Sequence, residues 1–126
     1  MSIHKSTVIS EEAKLGKGCV ISRGCSIVGE VRLGDRVRIG DYSRIEGKVS
    51  IGENTIIEDL VRIGDPRKGE VSIGRRCVIR SKCVIYPNVR IGDNVSFGHN
   101  VLVRENTVIG KNCVIGTNTV IEGNSK

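Results

Sequence analysis

The sequence predicts an all-β fold, a parallel β-helix of stacked triangular coils, and three observations carry that expectation. An aliphatic residue recurs every six positions, Gly and Asn hold fixed places between these residues, and aromatic side chains are almost absent. A period of six is foreign to an α-helix, whose faces recur every 3.6 residues or so. Aromatic rings normally supply much of a small core, yet Tyr42, Tyr86 and Phe97 are the only three in 126 residues. Something else must fill the interior.

The repeat shows what does. From Ile3 to Ile63 every sixth residue is Ile or Leu. The frame then slips by four residues within Asp65–Glu70 and resumes at Ile73, running to Ile121 with Phe97 and Val103 as its only departures from Ile. Twenty hexads and one short insertion near residues 65–70 therefore account for the chain, a single domain over 1–126. Counting from the aliphatic residue as position 1, position 2 is Gly ten times and position 4 takes all eight Asn. Asn tolerates left-handed backbone angles better than other residues with a side chain, so position 4 reads as a recurring turn. Position 5 is small or β-branched, as at Thr7, Val31, Val37, Ser43 and Val95. Positions 5 and 1 lie two apart in a short strand and face the same way, inward, while position 6 faces out. Three strands and three corners close a coil of 18 residues, giving about 6.7 coils and a prism roughly 32 Å long at the usual strand spacing.

All five cysteines (Cys19, Cys25, Cys77, Cys83 and Cys113) fall at the inward position 5. No two of them stack at an 18-residue step, and no CxxC spacing is present. They read as buried thiols of the core, compatible with a reducing, cytoplasmic setting. The opening residues, Met1 to Lys5, lack the apolar centre of a signal peptide, and no apolar run is long enough to span a membrane.

Twenty basic against fourteen acidic residues give a net charge of +6. Such an excess suits anionic partners, phosphorylated metabolites and cofactors among them. Nucleic acid is disfavoured, because the basic residues are scattered and stacking aromatics are lacking.

The outward position 6 distinguishes three faces. One carries Lys14, Arg32, Ser50, Ser72, Arg90 and Val108, a polar set. A second carries Val20, Arg38, Ile56, Val78, Ser96 and Val114; the third carries Val8, Ser26, Arg44, Arg62, Val84, Leu102 and Val120. Two faces thus present aliphatic ladders, which predicts self-association through both.

Of two histidines, His4 sits in the first hexad, whereas His99 falls on the corner between the two apolar faces, where subunits should meet. The same corner is Arg80-Ser81-Lys82 one coil earlier and Gly116-Thr117-Asn118 one coil later. A histidine titrates near neutral pH and can act as a general base, with Arg80 and Lys82 placed to hold an anionic substrate. It reads equally as a polar turn residue. Two histidines cannot supply the three ligands of a zinc hydratase, and the Thr residues are mostly inward, unlike an ice-binding array.

The pattern [Ile/Leu/Val]-Gly-x-Asn-[Val/Thr/Cys]-x resembles, over essentially the whole chain, the hexapeptide-repeat acyltransferases with a left-handed parallel β-helix. The stretch Asp93–Gly110, with Gly98-His99-Asn100-Val101 inside it, is similar to the segment of sugar acetyltransferases that carries the catalytic histidine. The resemblance implies left-handedness, a homotrimer, and acetyl transfer from acetyl-CoA to an amino or hydroxyl group of a nucleotide-linked sugar, without a catalytic metal. It implies His99 as base, Asn100 or Glu105 as its orienting partner, and Arg104, Lys111, Gly116 and Thr117 at the cofactor. Family members usually continue several coils beyond this histidine, lining the CoA groove, whereas about one and a half follow His99 at 18 residues per coil. A shortened, non-catalytic β-helix acting as a structural subunit is therefore the alternative expectation.

Overall fold

The computed structural model describes residues 1–126 and contains only β-strands, each of two to four residues, joined by corners. They sort into three parallel sheets, each taking every third strand. The first face runs Ser2–Ile3, Val20–Ile21, Arg38–Ile39, Ile56–Ile57, Val78–Ile79, Ser96–Phe97 and Val114–Ile115. The second runs Val8–Ile9, Ser26–Val28, Arg44–Glu46, Arg62–Ile63, Val84–Ile85, Leu102–Val103 and Val120–Ile121. The third, of six strands, runs from Lys14–Leu15 to Thr107–Ile109. The chain is a left-handed parallel β-helix, as the repeat and the resemblance led us to expect.

Register follows the hexad frame. Ile21 pairs with Ile39, Ile39 with Ile57, and Ile57 with Ile79, the last step stretched by the insertion. Positions 1 and 5 stack inward as one continuous core of 27 buried side chains. Phe97 is its one aromatic member, 1% exposed. Stacked Ile and Val leave little room for rings, because each coil must repeat the cross-section of its neighbours. At the ends the interior opens: Ile3 is 40% exposed, while Ile115 and Ile121 are half-buried.

All eight Asn have positive φ, as do Arg36, Tyr42, Leu60, Arg76 and Lys82 at the same hexad position. On the corner between the second and third faces two coils depart from this rule, while Asn88 and Asn106 keep it. There the positive angles shift to Gly29 (φ 102°) and Gly47 (φ 104°), one residue early. A Cβ on Gly29 would lie 2.6 Å from the Gly47 carbonyl oxygen, so close coil approach requires Gly at this place.

The insertion sits on the same corner, where Asp65 accepts the Arg67 amide (2.8 Å) and side chain (3.2 Å). Those bonds hold the Asp65 carboxyl below the usual carboxylate range. Glu46, buried at this corner, accepts from the Ser26 hydroxyl (2.9 Å) and pairs with Arg44 (3.2 Å). The five thiols are free, and all but the half-buried Cys113 are enclosed. No helix is long and apolar enough to cross a membrane.

Candidate active site

The corner between the first and second faces carries one hexad position, coil after coil, through Asp41, Asp59, Ser81, His99 and Thr117. Short strands end at Phe97 and restart at Leu102, which leaves His99 exposed at the turn with Asn100 in the left-handed conformation (φ 56°). Its ring Nδ1 lies 2.8 Å from the Ser81 hydroxyl of the preceding coil. Its backbone N–H donates to Thr117 Oγ1 of the following coil at 3.1 Å. The histidine is therefore held from both sides, and Nε2 bonds to nothing else in the chain.

Sequence reasoning named neither Ser81 nor Glu58 as part of the site. Glu58 accepts the Ser81 amide (3.2 Å) and pairs with Arg80 (2.9 Å). The signal was available in the 18-residue step from His99 back to Ser81, but a step says which residues stack, not which atoms bond.

The other candidates divide between corners. Arg80, Lys82, Asn100, Gly116 and Thr117 share the histidine's corner. Arg80 is occupied by Glu58, and Lys82 is exposed in left-handed backbone (φ 65°). Asn100 does not orient His99: its Nδ2 donates to Asn118 Oδ1 at 2.9 Å, extending an Asn ladder along the corner. Arg104 and Glu105 lie across the second face on the next corner, paired with one another at 3.2 Å. Arg104 also caps the Tyr86 ring, 4.8 Å from its centre. Glu105 therefore cannot orient His99 within one chain. Lys111 lies on the third corner, again remote from His99 in the same chain.

Beside Ser81, on the first face, is an open hollow of about 420 Å³ whose walls include Val20, Arg38, Ile56, Glu58 and Asp59. It combines an apolar floor with both signs of charge. No three His, Cys, Asp or Glu side chains are grouped to hold a metal ion.

A parallel β-helix with an exposed histidine tethered on a corner between two partly apolar faces defines a class of hexapeptide-repeat protein. The bacterial transferase hexapeptide family (six repeats) matches residues 30–65, 70–105 and 88–123, more than half of the chain. The chain belongs to that family. Among relatives, the acyl-[acyl-carrier-protein]–UDP-N-acetylglucosamine O-acyltransferase of Rickettsia canadensis is 43% identical over 65 residues, 52% of this chain and 25% of the relative. The enzyme of the same description from Thermodesulfovibrio yellowstonii is 36% identical over 86 residues, 62% of this chain and 33% of the relative. The match thus spans a quarter to a third of those relatives' length.

Among solved structures, a mutant of AntD, an N-acyltransferase from Bacillus cereus in complex with dTDP and coenzyme A, superposes with a TM-score of 0.76 at 20% identity. That match covers 82% of this chain and 70% of that one. The UDP-N-acetylglucosamine acyltransferase of Campylobacter jejuni gives 0.70 at 22% identity, covering 97% and 68%. Identities this low speak for the fold alone.

Proposed function

We propose that this chain is an acyltransferase that moves an acyl group from a thioester donor to a hydroxyl or amino group of a nucleotide-linked sugar, with His99 as general base. The observation that carries the reading is the exposed, tethered imidazole on the corner between the two apolar faces, its Nε2 without a partner in the chain. Nε2 takes the proton of the acceptor O–H or N–H as that oxygen or nitrogen attacks the thioester carbonyl. The tetrahedral oxyanion then collapses, the C–S bond breaks, and the imidazolium returns its proton to the departing thiolate. The transferase family match and the coenzyme A in the AntD complex support a CoA-type donor, acetyl-CoA being our choice. The names of the Rickettsia and Thermodesulfovibrio relatives make an acyl carrier protein the competing donor.

A cytoplasmic homotrimer is part of this reading. The Val84–Leu102–Val120 ladder and the Ile56–Val78 ladder are the surfaces that neighbouring copies would cover, and Arg104 and Lys111, on other corners of the same chain, would reach His99 only from such a neighbour. The separation of those residues within one chain is also what favours the second reading, a non-catalytic β-helix.

The test is thiol release from acetyl-CoA and from an acyl carrier protein thioester, across a panel of UDP-, dTDP- and GDP-linked amino sugars. His99→Ala is expected to lose about 10²–10⁴-fold in turnover. No donor binding and no turnover by the unaltered protein would leave the structural-subunit reading standing.

A further inference from the structure

We propose that Ser81 and Glu58 are positioning residues that hold His99 in one tautomer, Nδ1–H donating to the Ser81 hydroxyl and Nε2 left with its lone pair. The inference rests on the reading of His99 as the base and says how that base is prepared.

Four places on the corner columns follow a bonding rule that Ser81 does not. At each, the amide of this hexad position donates to the side chain stacked in the following coil. Lys17 donates to Asp35 (2.9 Å), Asp41 to Asp59 (2.8 Å), Arg75 to Asp93 (3.0 Å) and His99 to Thr117 (3.1 Å). Under that rule the Ser81 amide would donate to His99 Nδ1. The ring would then carry its hydrogen on Nε2, where it cannot accept a proton. Instead Glu58 draws the Ser81 amide toward the preceding coil (3.2 Å), and His99 Nδ1 meets the hydroxyl at 2.8 Å.

A hydroxyl can accept from Nδ1–H as readily as it can donate. Local charge selects the first arrangement. Asp59 stacks one coil before Ser81 and makes no ion pair, so an unneutralised carboxylate on that side favours a Ser81 hydrogen turned away from the ring. Arg80 neutralises Glu58, which keeps the Glu58 carboxylate on the amide rather than on the hydroxyl. His4 supplies a contrast within the same chain. There the Ser6 amide donates to Nδ1 at 3.1 Å, and the hydrogen must sit on Nε2.

The test uses ¹⁵N NMR of the imidazoles, since only two histidines are present and His4→Gln leaves His99 alone. In its neutral form the unaltered ring is expected to show a protonated Nδ1 and a bare Nε2. Ser81→Ala is expected to lose that signature and about tenfold in kcat with KM little changed, whereas Ser81→Thr keeps both, Thr117 being tolerated at the same hexad position. Glu58→Ala is expected to move the hydrogen toward Nε2, and Glu58→Gln, which still accepts the amide, to preserve it. An Nε2–H ring in the unaltered protein, or an unchanged signature in Ser81→Ala, overturns the positioning inference alone. Full turnover by His99→Ala overturns the base reading itself, whatever the tautomer.

Discussion

The His99 amide and the Thr117 hydroxyl, 3.1 Å apart, tie the candidate base to the coil that follows it. Between the same two coils a Cβ on Gly98 would fall 2.5 Å from Thr117 Oγ1 and 2.6 Å from its backbone nitrogen. Gly98→Ala is therefore expected to push this corner apart, costing about 1–3 kcal/mol. Turnover should fall further than stability suggests, because the displaced element carries the imidazole. Urea titration and initial rates on one preparation check both.

The apolar ladder of the second face, half-buried at Val84 and Leu102 and exposed at Val120, offers a test of assembly. Leu102 lies between Val84 and Val120 in register, and Val120 is 54% exposed. If that ladder is covered by another copy, Leu102→Glu places a charge in an apolar contact and should dissociate the assembly without unfolding the coil. Sedimentation velocity over a concentration series reads the mass, with circular dichroism reporting the fold. An unaltered protein that sediments as a monomer at every concentration contradicts the trimer.

Equivalent hexad positions should differ in energetic weight along the prism. Ile63 is 0% exposed in mid-stack, whereas Ile3 is 40% exposed at the first coil. Ile63→Ala is expected to cost about 2–5 kcal/mol and Ile3→Ala well under half of that. Chemical denaturation midpoints at constant slope decide it.

Burial pushes the Cys25, Cys77 and Cys83 thiols above their ordinary 9.0. In the unfolded chain these thiols ionise first, so the stability they contribute is complete below pH 9 and is lost as the pH climbs past it. Thermal midpoints should fall as the pH rises above 9, less steeply in Cys77→Val, where Val copies the residue stacked one coil later, Val95. At pH 8 a thiol reagent should reach the half-buried Cys113 before the other four.

Leu60 sits at φ 58° and is 52% exposed, a left-handed turn held by a side chain that gains nothing from it. Leu60→Asn should raise stability by about 1 kcal/mol, since Asn adopts this region at lower cost. A lower melting temperature would mean that Leu60 is packed against another copy.

Much of this was legible in the chain itself. Ile21, Ile39 and Ile57 announce their stacking by spacing, and Asn54, Asn94 and Asn112 announce their corners by residue type. The uniform turn rule failed at Gly29 and Gly47, where the positive φ falls one residue early and the carbonyl of the next coil leaves no room for a Cβ. Placing His99 between the apolar faces needed only counting. Neither Asn100 nor Glu105 partners His99, since Asn100 donates to Asn118 along the ladder and Glu105 pairs with Arg104 on the next corner.

The sequence by itself determined the coil, its register, the inward residues and the three faces, because a six-residue period is information along one dimension and a solenoid is built along one dimension. Only the tertiary structure decided which atoms meet between coils. The Ser81 hydroxyl meets His99 while the Ser81 amide turns to Glu58, 23 residues before it. That choice among partners one coil apart is settled by side-chain geometry in space, which no repeat pattern encodes.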